Sequence, residues 1–132
     1  MINNSISFVL LRLAIGASMF GHGLVRLPKL NGFSNWMVGQ FQKSMMPAAL
    51  VTPFSYALPI AELIIGLLLL LGLLTKQALI AGGIVMILLV FGSTTIEDWS
   101  AIPSQLIHAA FFAALLSSIA YNTYAIDNLL KK

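Results

Sequence analysis

The chain has 132 residues, of which 59% are hydrophobic and 8% charged, with a mean hydropathy of +0.96; ordinary soluble domains carry roughly 25% charged residues. Seven Lys or Arg and four Asp or Glu cannot wet the surface of a soluble domain this long, so the bilayer is the solvent that fits. Four helical spans of about 20 residues would take roughly 80 positions and leave about 50 for loops and ends, too few for a separate soluble catalytic domain.

Cysteine is absent, which excludes disulfides, thiolate metal sites and paired-thiol redox chemistry by this chain alone. The net charge of +3 rests on so few residues that it does not point to nucleic acid, whose binding needs a clustered basic face.

In chain order, the first apolar block runs from Ile6 to Val25. A cleaved signal peptide would carry Lys or Arg ahead of its apolar core; here none precedes it and Arg12 interrupts it, so the block is expected to stay as a span. The connection from Leu27 to Ala49 places Phe33, Trp36, Met37, Phe41 and Met45 near one helical face, which suggests a short interfacial helix. A loop packed over the mouth of the bundle is the alternative. Pro47 and Pro53 mark the entry to the second block, Val51 to Leu74. The third, Ala78 to Ile96, follows after a turn so short that its neighbours must be antiparallel. The fourth, Leu106 to Ala125, follows a turn carrying Glu97, Asp98, Trp99 and Pro103. The expected fold class is all-α: a transmembrane four-helix bundle, up-down-up-down, in one domain over residues 1–132.

Orientation follows from the basic residues near the span ends. Lys76, Lys131, Lys132 and a snorkelling Arg12 make four on the amino-terminal side, against Arg26, Lys29 and Lys43 on the other. The expectation is a multi-pass protein of the inner membrane with both termini cytoplasmic.

Ionisable residues inside the membrane are costly unless paired, hydrated or snorkelling, and they mark where function is expected. Four are present: Arg12, His22, Glu62 and His108. With the span boundaries above, Arg12 and Glu62 differ in depth by only about 5–7 Å. Ser5, Arg12, Gly16, Met19 and Gly23 share one stripe of the first helix; Ser55, Pro59, Glu62 and Gly66 share one of the second. This predicts a polar core pair of Arg12 with Glu62. It would either fix helix register or border a ligand or proton path, unless Arg12 snorkels alone.

His22 and His108 both fall about 6 Å below the outer boundary, on helices expected to be neighbours. His108 shares a face with Ser104, Gln105 and Asn122, while Ala110, Ala114, Ser117 and Tyr121 form a small-residue seam opposite. Facing histidines suit hydrogen bonds to quinone carbonyls, axial ligation of haem, or a metal pair with further ligands. Interface histidines bonded to backbone or headgroups are the structural alternative. Quinone ranks ahead of haem, since neutral imidazoles could donate to carbonyl oxygens without axial geometry, and no metal ligand set is assigned. Gly21 and Gly23 would remove side-chain bulk where a flat ring approaches the backbone.

Arg12, Gly16, Gly21, His22, Gly23 and Lys29, followed by MPAALVTPFSYALPIAELIIGLLLLLGLLTK from Met46 to Lys76 with Glu62, Gly66 and Gly72, resemble the DoxX family of small four-helix bacterial membrane proteins. The resemblance covers nearly the whole chain, and its best segment is the spacing of Glu62, Gly66 and Gly72 before Leu73, Leu74, Thr75 and Lys76. The family's frequent glycine-rich ending with a serine and an aspartate is altered here to AYNTYAID, which retains Asp127. The resemblance implies a link to thiosulfate:quinone oxidoreductase and to membrane oxidoreductase complexes, although most members have no assigned reaction and family alone does not prove an activity. The functional expectation is a quinone-associated accessory or anchor subunit of a membrane redox system, with an oxidoreductase subunit or a second copy of the chain as partner. A non-catalytic assembly or chaperone subunit is the competing class. A small-molecule transporter comes third, because 132 residues make a small pathway.

Overall fold

A computed structural model describes residues 2–42 and 44–130, so Lys43, Lys131 and Lys132 of the charge count lie outside the described residues. The described residues form α1 (Ile2–Arg26), α2 (Leu30–Gln40), α3 (Ala48–Leu71), α4 (Thr75–Thr95), α5 (Ile102–Ser117) and α6 (Ile126–Leu130). Among them there is no strand.

The pairing of α1 with α3 is set by glycines. A Cβ on Gly16 would lie 3.1 Å from Leu69 and Leu70, and one on Gly23 would lie 2.5 Å from the Leu63 amide. Rising numbers on α1 thus meet falling numbers on α3, and the two helices run antiparallel at close approach. Gly66 is the tightest point, where a Cβ would collide with the backbone of Phe20. Small residues at such a contact allow the van der Waals packing that holds membrane helices together where lipid removes the hydrophobic drive.

α1 does not stop at Arg26. A 3-10 turn at Leu27–Lys29, with Pro28 in it, leads directly into α2, and the two make one apolar arm, Asn3–Gln40, of 38 residues. α2 stays beside α3: the Tyr56 hydroxyl donates to Asn31 Oδ1 at 2.6 Å, the Ser34 and Ser55 hydroxyls lie 2.6 Å apart, and Met37 is buried against Val51 and Leu58. The helix expected between the first two spans is therefore present, but as a continuation of α1 along α3. Its apolar residues divide, with Met37 buried and Trp36 exposed, while Met45 lies beyond the helix end.

α3 ends at Leu71, three residues before the expected limit, and Gly72 caps it. Gly72 adopts φ +70°, a left-handed conformation that costs glycine nothing, and the Leu73 amide returns to the Leu68 carbonyl at 2.9 Å. Leu74, also left-handed, starts α4. α4 packs on α3 and α5, and α5 closes the ring against α1. Phe112 fills the slot left by Gly82, within a core that includes Ile15, Met19, Ile65, Leu69, Leu79 and Leu115.

The fourth span departs most from expectation. α5 has 16 residues, about 24 Å against the roughly 30 Å of a hydrocarbon core. Helical geometry is lost after Ser117, and the residues expected to extend the span to Ala125 form a 3-10 turn and a return strap. Arg12 supplies the physical reason below. The arm, α3 and α4 are each long and apolar enough to cross a membrane, and their outer faces expose large aliphatic side chains such as Leu10, Ile64, Ile84 and Ile87. This is an all-α transmembrane bundle. Exposed Trp36 and Trp99 sit at the end holding α2 and the α4–α5 connection, here called the cap end; exposed Tyr121 and Tyr124 sit at the opposite, tail end. Aromatic rings at both ends are what membrane interfaces select.

The α1–α3 contact generates a paired test. Gly66→Ala forces a Cβ into the Phe20 backbone and should destabilise the bundle by about 1–3 kcal/mol. Gly21→Ala, whose Cβ meets nothing within 4 Å, should be neutral or stabilising by up to about 1 kcal/mol. Denaturant titration in detergent reads both.

Candidate functional site

The register that brings Gly23 to Pro59 and Leu63 carries Arg26, three residues further along α1, to the level of Glu62. Arg26 Nη1 donates to Glu62 Oε1 at 3.0 Å; the Glu62 side chain is 4% exposed and that of Arg26 29%. The guanidinium also lies 4.5 Å from the Phe33 ring centroid, an arrangement favourable by cation–π attraction. Glu62 thus pairs with Arg26, and the expected Arg12–Glu62 pair does not form.

The error has a definite source. Equal depths for Val25 and Val51 were assumed at the outer boundary, whereas α1 continues into α2 and brings Met37 to the level of Val51. By the Gly23–Leu63 contact, Val25 stands level with Ala61, ten residues from Val51, or about 15 Å along the helix.

Arg12 is buried at the tail end, 3% exposed. Its Nη1 donates to Asn122 Oδ1 and to the Tyr124 carbonyl, both at 2.9 Å. Asn122 had been placed on the His108 face of a long fourth helix. Ending α5 early instead lets the strap deliver two oxygens to the buried guanidinium, which an unbroken helix could not do with its carbonyls engaged. The strap is then fixed to the α3–α4 turn by Asp127, whose two carboxylate oxygens accept from the Leu74 and Thr75 amides at 2.7 and 2.8 Å. A carboxylate on the first amides of α4 also suits the helix dipole.

Above Glu62, toward the cap end, the bundle encloses a partly open cavity of about 290 Å³. Its polar lining comprises the Arg26–Glu62 pair, His22, His108, the Ser93–Gln105 hydrogen-bonded pair and Asp98; Phe33, Trp36, Phe41 and Phe54 supply aromatic walls. The structure brings His22 and His108 together edge-on, with ring centroids 6.2 Å apart and an interplanar angle of 87°. Gly21 and Gly23 are not part of this lining. Gly21 faces open space and Gly23 faces α3, so neither opens a path for a ring: Gly23 serves helix contact.

The histidine roles follow from their partners. His22 Nδ1 lies 2.6 Å from the Ser18 carbonyl and His108 Nδ1 lies 2.7 Å from the Ser104 carbonyl. A carbonyl oxygen only accepts, so each Nδ1 carries a proton, and when the ring is neutral its Nε2 is an acceptor. His108 Nε2 receives the Ser18 hydroxyl at 2.8 Å. Sequence reasoning missed Arg26 as Glu62's partner. The available signal was the i, i+4, i+7 spacing of Met19, Gly23 and Arg26, which puts Arg26 on the stripe that Gly23 turns toward α3.

A double-mutant cycle tests the pairing. Glu62→Gln and Arg26→Met should couple by more than about 1 kcal/mol, because either change alone leaves a buried charge or acceptor unmatched. Glu62→Gln with Arg12→Met should be additive within about 0.5 kcal/mol; coupling of that second pair and additivity of the first would reverse the assignment.

None of the curated proteins and none of the solved structures compared with the chain matches it. The DoxX family model matches residues 7–96, from within α1 to just past α4 and thus including His22, Arg26 and Glu62, while His108, Asn122 and Asp127 lie beyond the matched stretch. With well over half its length matched, the chain belongs to the DoxX family.

Proposed function

We propose that the cavity takes the ring headgroup of a quinol and that the protein is a quinone-associated accessory or anchor subunit of a membrane redox system, in the inner membrane with both termini cytoplasmic. The observation that carries this reading is the acceptor presented by His22 beside an aromatic-walled cavity inside a lipid-facing bundle. It also corrects the expected chemistry. A neutral ring whose Nδ1–H is committed to its own helix cannot donate to a quinone carbonyl, but its Nε2 can accept a quinol hydroxyl. The reduced form is the better ligand.

Charge favours a neutral ligand as well. With neutral histidines the cavity lining holds one cation, Arg26, against the anions Glu62 and Asp98, so a free oxyanion such as thiosulfate would meet net repulsion. Haem fits less well, since bis-histidine ligation needs both Nε2 atoms on one iron and that of His108 is bonded to Ser18.

Retention of a labelled short-chain benzoquinol, under reducing conditions, should exceed that of its oxidised form on the purified protein by about tenfold, the worth of one hydrogen bond to a neutral acceptor. His22→Phe of verified fold should abolish the preference. Equal retention of both redox forms by wild type, or an unchanged preference in His22→Phe, removes the reading.

Orientation is supported by the lysines alone. Burial of Arg12 and pairing of Arg26 remove one basic residue from each side of the count, leaving Lys76, Lys131 and Lys132 against Lys29 and Lys43. Lys76→Cys should escape a membrane-impermeant thiol reagent in intact cells; labelling would invert the topology.

A further inference from the structure

We propose that the cavity is a dead-ended aqueous vestibule, open at the cap end, which gives the Arg26–Glu62 pair at the middle of the bundle access to water from one side of the membrane only. The path does not depend on which ligand the histidines take.

Three observations support it. First, α3 places Glu62 fourteen residues from Ala48 and nine from Leu71, about 21 and 14 Å from its two ends. An ion pair at that depth, with its Arg partly exposed toward a cavity, is the arrangement that water filling makes tolerable in a membrane protein. Second, polar groups continue from the pair to the surface. His22, His108, the Ser93–Gln105 pair, Ser104 and finally Asp98 in the α4–α5 connection all line the same space. Its volume of about 290 Å³ is many times the roughly 10–15 Å³ that one water needs, and each stretch offers the two or more polar partners that hold a water in place.

Third, the path stops at Glu62. Met19 and Met86 close the floor there, and Ile65 and Leu69, one and two turns further toward the tail end, are buried with Ile15, Leu79 and Leu115 in the apolar core. That core separates the vestibule from Arg12 and the strap. Water and protons therefore reach Glu62 past Asp98 and not from the tail side, and a proton given up at the histidine pair leaves toward the cap end. Two arginines on one helix consequently have different duties: Arg12 holds the strap in a dry setting, and Arg26 holds Glu62 at the floor of a wet one.

The natural absence of cysteine makes the test direct. A charged thiol reagent reacts with thiolate, which forms only where water reaches. Single variants Gln105→Cys and Leu89→Cys place a thiol on the vestibule wall; Ile65→Cys places one just below its floor, and Ile84→Cys one on the lipid face. In vesicles of known orientation, reagent added at the cap side should modify the first two at least tenfold faster than the last two, and reagent confined to the tail side should modify none. Vestibule thiols no faster than Ile84→Cys mean a lipid-filled or collapsed cavity, and modification of Gln105→Cys or Ile65→Cys from the tail side means a through-path; either overturns the proposal. Using two vestibule positions protects the test against one variant failing to fold. A wet vestibule without quinol retention would sink only the functional reading above, and quinol retention with a dry vestibule would sink only this one.

Discussion

The close antiparallel contact between α1 and α3 governs where Arg12, Arg26 and Glu62 end up. Gly16, Gly23 and Gly66 let the two backbones approach until little separates them but main-chain atoms, and at that distance the helices cannot slide without a side chain striking backbone. Lipid offers no hydrophobic penalty for separating apolar faces, so such packing must hold the pair together. Register is then discrete. Arg26 falls opposite Glu62, and Arg12, four turns earlier on the same helix, falls near the α3–α4 turn, where Gly72 leaves space beside its Nη1.

Each buried guanidinium then dictates a departure from regular structure. At the tail end, no carboxylate of α3 is in reach of Arg12, and the oxygens come from a segment that has given up helical geometry to supply them. The cost is a fourth helix too short to cross the hydrocarbon core alone, offset by the Asp127 carboxylate, which satisfies two α4 amides and ties the strap to the turn. This gives the altered carboxy-terminal sequence a definite task, although it lies outside the stretch matched to the family. At mid-depth, Glu62 receives its cation from α1, and the Phe33 ring of α2 lies 4.5 Å from that guanidinium.

Much of this was legible in the sequence. Four apolar blocks, a tight turn between the second and third, the stripes of small residues and the proximity of His22 to His108 all follow from helical periodicity and from the limits that lipid places on backbone, although the turn lies at residues 72–74, just before the expected Thr75 to Gln77. The partner of Glu62 was not, because depth was counted from separate span ends, whereas a 3-10 turn at Leu27–Lys29 carries α1 on into α2. The end of α5 was hidden for a related reason. Ser117 to Ala125 is apolar enough to read as span, and only the demand of a buried Arg12 for oxygens reveals that Asn122 and Tyr124 must leave the helix. Gly21 and Gly23 show the limit of reading glycine from position alone: Gly23 lies within the close contact with α3 and Gly21 meets nothing within 4 Å.

The histidine pair illustrates how backbone decides side-chain chemistry. Both rings bond through Nδ1 to the carbonyl four residues earlier on their own helix, so the direction of each Nε2 is set by helix rotation. α1 and α5 are rotated such that one acceptor meets Ser18 and is consumed, while the other stands at the exposed edge of the bundle beside the cavity. Two identical side chains therefore have different surroundings: His108 is held to α1 through the Ser18 hydroxyl, whereas His22 lines the cavity without that bond. Replacing Ser18 by alanine would remove the distinction, since it takes away the hydroxyl that meets the His108 Nε2.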